Sequence, residues 1–86
     1  MTLKNGAKIK GKTNTDKDFL QKFAKNLKEI RKEHGIKQDD FLKADGISRS
    51  LISMVETAKT DITLTKLKII ADVIGVKPKD LLDFED

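Results

Sequence analysis

From Asp18 to Phe84 the chain alternates apolar stripes of helical period with short polar breaks. Phe19, Leu20, Phe23, Leu27 and Ile30 recur at the spacing of one helix side, predicting a first helix over residues 17–34. Asp16 or Thr15 stands where an N-cap belongs. Gly35 stands at the other end, where the chain often needs a positive φ. Gln38 to Ala44 reads as a short second helix anchored by Phe41 and Leu42. Its first turn carries Asp39 and Asp40, where negative charge complements the helix dipole. Gly46 interrupts, and Ser48 is a good N-cap for a third helix over 49–57, with Ile52 and Val55 on one side and Ile47 leading in. Residues 57–63 are polar apart from Ala58 and Ile62 and read as a loop. Thr63 is placed to cap a fourth helix with the stripe Leu64, Leu67, Ile70, Ala71 and Ile74, which Gly75 stops. Pro78 suits the first turn of a short fifth helix, where a missing N–H is tolerated, and Leu81, Leu82 and Phe84 form its apolar side. Strand and hairpin signals are weak and no internal repeat is visible, so the expected fold is all-α with five helices.

The third helix is unusual on its polar side. A solvated side normally carries long charged residues, but this one carries Ser48, Ser50 and Ser53 around a single Arg49. Short polar groups suit close approach to another surface. The second and third helices are joined by a few residues containing Gly46, the signature of a helix-turn-helix, whose second helix enters the major groove of DNA. In this reading Gly46 permits a turn too tight for a Cβ, and Ile47, Ile52 and Val55 bury the third helix. Ser48 caps that helix and leaves its N-terminal N–H groups available to a phosphate.

Charge strengthens the picture. Residues 1–17 hold five lysines against one aspartate, residues 18–59 nine basic against seven acidic, and residues 60–86 four basic against six acidic. One end is thereby suited to a polyanion and the other is not. Residues 1–16, MTLKNGAKIKGKTNTD, read as a disordered basic N-terminal tail, either an arm on DNA or a passive segment, and residues 17–86 as the domain. A chain of 86 residues suits one domain, stabilised by compact helix packing, a partner subunit, or both.

Other chemistries find little support. The sequence has no cysteine and one histidine, His34, so no cofactor or metal site is expected. Ser48, Ser50 and Ser53 have no base nearby in sequence, and the adjacent Asp39 and Asp40 point apart, so an enzyme is not expected. With no membrane-length apolar run and no signal-peptide pattern, a soluble cytoplasmic protein is the expectation.

Three segments, LKEIRKEHGIKQDDF, GISRSLISMVE and LTKLKIIADVIGVKPKDLL, occur in this order between Phe23 and Leu82. Together they resemble the Cro/C1-type helix-turn-helix family, also called the XRE family of bacterial and phage regulators. The resemblance implies a compact five-helix, lambda-repressor-like DNA-binding domain acting on double-stranded DNA, usually as a homodimer on a palindromic operator. Gln38 matches the glutamine that opens the second helix, expected to donate its amide to a phosphate and to brace a neighbouring side chain, or else is an ordinary exposed glutamine. Arg49 and Ser50 match the first base-reading positions, where Arg49 either pairs with guanine O6 and N7 or contacts a phosphate. Met54 matches a further base-facing position, touching a thymine methyl or packing internally. Ser53 lies beside them, in reach of a phosphate or a base, and Thr57 and Lys59 match backbone-contacting positions; Lys37 is placed to do the same from the other side. Arg31 and Glu56 match an ion pair that locks the third helix to the first. Leu81, Leu82 and Phe84 are the candidate dimer surface, or else close the monomer core.

The family also includes antitoxins, so a toxin or other protein partner is the alternative; a controller protein and a small phage repressor both fit the length. Several positions depart from the family pattern. Leu42 replaces the usual alanine, Asp45 an apolar residue, Lys37 a Ser or Thr cap, and Thr57-Ala58 the usual Asn-Gly. Ala44 takes over the packing role if the second helix is shortened or rotated.

Overall fold

The structure, a computed structural model, describes residues 16–85. The basic segment 1–15, including the candidate cap Thr15, and Asp86 lie outside the described residues. Among those described there are helices and no strands. The order is α1 (Lys17–Glu33), a 3-10 helix η1 (Gln38–Lys43), α2 (Arg49–Glu56), α3 (Leu64–Ile74) and α4 (Pro78–Leu81).

Local chemistry sets the helix ends. Asp16, Ser48 and Thr63 each accept a backbone N–H three residues on, at 3.0, 3.0 and 3.2 Å, and so cap α1, α2 and α3. Lys37 and Lys77 offer no capping oxygen at the starts of η1 and α4. There the aspartate three residues later reaches back instead: Asp40 accepts the Lys37 N–H at 2.8 Å, and Asp80 the Lys77 N–H at 3.0 Å.

The core gathers Phe23 and Leu27 of α1, Phe41 of η1, Ile47, Ile52 and Val55 around α2, Leu67, Ile70, Ala71 and Ile74 of α3, and Leu81 of α4. α2 packs on η1 and α1, and α4 packs on α1 and α3. Asn26 Nδ2 donates to the carbonyls of Asp80 and Leu81 at 3.2 and 2.9 Å, satisfying α4 acceptors that a four-residue helix leaves open. Phe19 and Phe84 stack with centroids 5.4 Å apart, tying the first turn of α1 to the segment after α4.

Four details correct the sequence reading. The second helix is a 3-10 helix, not an α-helix, with three residues per turn, so side chains at i and i+3 eclipse. Gln38 and Phe41 therefore face inward, while Asp39 and Leu42 face outward; just past the helix, Ala44 is half-buried and Asp45 exposed. Leu42, expected as an anchor, is 46% exposed, and Ala44 packs on the core instead. The bulky Leu42 thus never meets the helix that an alanine would normally let in.

Second, Leu64 does not join the α3 stripe; it lies at the first position of α3, ahead of the packed turns, and is exposed. Third, Leu81 is fully buried and unavailable to a partner. Phe84 is half-buried against Phe19, leaving Leu82 as the exposed member of the candidate dimer trio. Fourth, Gly46 is required by its conformation and not by crowding. Its φ is 84°, while an added Cβ would meet only Lys66 Cε at 3.8 Å, an ordinary contact.

Candidate nucleic-acid interface

α2 is built as a two-sided helix. Ile52 and Val55 point into the core, and Glu56 is buried with them. Ser48, Arg49, Ser50, Ser53, Met54 and Thr57 are all exposed, so the short polar side found in the sequence faces outward. Lys37 and Lys59 are exposed at its two flanks, before η1 and after α2.

Beneath this side lies a buried polar lock. Arg31 is 8% exposed and Glu56 4%. Arg31 Nε donates to Glu56 Oε2 at 2.5 Å and Nη2 donates to Oε1 at 3.0 Å, the fork-on-fork geometry that makes arginine–carboxylate pairs strong. Nη1 donates to the Ile36 carbonyl at 2.9 Å, and Gln38 Nε2 donates to Glu56 Oε1 at 2.9 Å. The network joins α1, the α1–η1 turn, η1 and α2. Among the described residues no buried side-chain nitrogen or oxygen lacks a partner. The sequence reading gave the Gln38 amide to a phosphate and to bracing a neighbouring side chain; one of its N–H groups braces Glu56, leaving the second for another acceptor.

On the surface a second pair forms. Arg49 Nη2 donates to Asp39 Oδ1, and both side chains are more than half exposed. Sequence reasoning weighed Asp39 only as a helix-dipole and acid–base residue and missed this contact. Nothing in the spacing signalled it, because the two residues lie ten positions apart across the turn.

The end of α2 departs from the other helix ends. Ala58 has φ 58°, a left-handed value that costs a side-chain-bearing residue energy. The Ala58 N–H bonds Val55 O at 3.1 Å and the Lys59 N–H bonds Met54 O at 2.8 Å, which together close a Schellman motif. This sets where Thr57 and Lys59 leave the helix. Thr57 Oγ1 turns back to Ser53 O at 2.8 Å. His34 caps α1, with Nδ1 3.0 Å from Ile30 O. Among the described residues no cluster of three or more His, Asp or Glu is placed to hold a metal, and no helix is long and apolar enough to cross a membrane.

A 3-10 helix, a turn through Gly46 and an α-helix with an exposed short polar side, locked from below, define a helix-turn-helix DNA-binding domain. The chain belongs to the helix-turn-helix family of the XRE type, a class of DNA-binding transcription regulators, with residues 27–81 matching that family. It is 38% identical over 60 residues to an uncharacterized HTH-type transcriptional regulator of Methanocaldococcus jannaschii, covering 70% of this chain and 91% of that one. Its fold is similar to that of the restriction-modification controller protein C.AhdI from Aeromonas hydrophila. The TM-score is 0.67 at 27% identity, covering 72% of this chain and 94% of the other.

Proposed function

We propose that the chain is a sequence-specific transcriptional regulator that inserts α2 into the major groove, acting as a homodimer on a palindromic operator. The observation that carries this reading is the exposed short polar side of α2, backed by the Arg31–Glu56–Gln38 network that holds the helix at one angle. Serines let the α2 backbone approach the base edges, and the single arginine supplies the reach of a bidentate guanine contact.

In this arrangement Arg49, Ser50 and Met54 face bases, with Ser53 beside them. Lys37, Gln38, Thr57 and Lys59 contact phosphates on the two sides of the groove, and the N-terminus of α2 behind Ser48 adds backbone N–H donors. One such domain makes few contacts. Pairing through Leu82 after α4 would double them and set half-sites about one DNA turn, roughly 34 Å, apart.

Selection of bound duplexes from random DNA tests the reading. The expected result is an inverted repeat with half-sites about one turn apart. No enrichment at low salt would overturn the DNA-reading role, and leaves an antitoxin or other protein-binding role standing if a partner co-purifies. Enrichment of one unrepeated half-site would remove the dimer.

A further inference from the structure

Two aspartates open η1, and only one has a task inside the fold. Asp40 accepts the Lys37 N–H and so caps the helix. Asp39 accepts no backbone N–H within η1; its partner is Arg49, the first residue of α2. The pair is exposed and contributes little to folding. A carboxylate beside a surface meant for phosphates also weakens binding to every duplex. An acidic group at that place calls for another role.

We infer that Asp39 is a specificity-determining residue, one that holds the Arg49 guanidinium by Nη2 and presents its remaining N–H groups to guanine. The inference rests on the reading of α2 as the base-contacting helix. A free arginine is long, flexible and indifferent between a guanine and a nearby phosphate. Held by one edge, it loses the rotamers that reach the backbone and keeps those that project along the groove. The guanidinium has five N–H donors in a planar fork, so one bond to Asp39 leaves enough for a bidentate contact. Where the base is not guanine, the held Arg49 finds no matching acceptors and its presented N–H groups go unpaired. Discrimination then comes from a penalty against wrong sequences as well as attraction to the right one.

The test compares the full chain with Asp39→Asn, Asp39→Ala and Asp45→Asn. Binding is measured by fluorescence anisotropy over a salt series to the selected operator, to the same duplex with the Arg49-dependent guanine replaced, and to a random duplex. Asp45 is exposed just past η1, so its substitution reports the generic effect of removing one negative charge nearby. The expected result is that both Asp39 variants bind the random duplex more tightly and lose about fivefold or more of the preference for guanine. Asp45→Asn should shift all three duplexes equally. In an Arg49→Ala background, Asp39→Ala should leave the remaining preference unchanged.

Unaltered preference in both Asp39 variants would overturn the inference, as would a loss matched by Asp45→Asn or one that persists without Arg49. These outcomes leave the DNA-reading proposal standing, because the wild type still discriminates. A wild-type chain that discriminates among no duplexes would remove that proposal and this one together.

Discussion

Two arginine–carboxylate pairs anchor α2, one from below and one from the side, and they differ in nearly everything but chemistry. Arg31 and Glu56 are buried, bidentate and braced by Gln38 and the Ile36 carbonyl. Arg49 and Asp39 meet through a single nitrogen in solvent. Removing water from the first pair makes it costly to break, because the survivor is left as a buried unpaired charge. Leaving water around the second makes it weak, and leaves the remaining Arg49 N–H groups accessible to a ligand. The lower pair fixes where α2 is; the upper pair, under the proposed function, bears on what α2 would read. Placement, not residue type, divides structure from recognition here.

Substitution should separate the two. The largest effect belongs to Glu56→Ala, which should destabilise the fold by about 3–5 kcal/mol in urea denaturation. Replacing Arg31 and Glu56 together with Met and Leu should recover most of that loss, since no lone charge remains. A small loss in the single variant would show the pair to be solvated. Next comes Arg49→Ala. Its stability should stay within about 0.5 kcal/mol of wild type, while discrimination at one base position falls by about 1–3 kcal/mol in competition binding. Equal weakening on all sequences would make Arg49 a backbone contact. Gln38→Ala should cost about 1.5 kcal/mol, as expected for a part-buried hydrogen bond to a carboxylate, with DNA affinity falling beyond what unfolding explains.

The smallest effect tests the end of the same helix. Ala58→Gly should raise stability by about 0.5–1 kcal/mol, because glycine adopts the left-handed conformation without strain but is more flexible when unfolded. A fall in melting temperature would mean that the alanine side chain is held by packing.

Helix ends were legible in the sequence because caps are local. Asp16, Ser48, Thr63 and Gly75 act within a few residues of where they stand. The winding of η1 was not legible. Over six residues the i+3 and i+4 patterns nearly coincide, and only the packed neighbours decide between Ala44 and Leu42 as the inward residue. Leu81 was misjudged for a related reason: the length of α4 suggested surplus apolar surface, but α1 and α3 consume it.

The Arg31–Glu56 contact spans 25 positions and came into view through family resemblance, not through spacing. Asp39–Arg49, ten positions apart across the turn, had no such guide. Asn26 left a readable trace that went unused. It is a polar residue at the edge of the apolar stripe between Phe23 and Ile30, a place that calls for a partner, and it finds two carbonyls of α4.

The clamp made by Asn26 and Phe19 has a consequence for geometry at larger scale. Phe19 sits in the first turn of α1, Asn26 near its middle and Arg31 in its last turn, so one rod of 17 residues holds the segment after α4, α4 itself and α2 at successive points along its length. At 1.5 Å per residue that rod is about 25 Å long and does not bend easily. In the proposed dimer, the stretch of α1 from Asn26 to Arg31 would set the offset between α4 and α2. Selection on half-site spacing would then fall on the stiffness and phase of α1 as much as on the residues that touch bases.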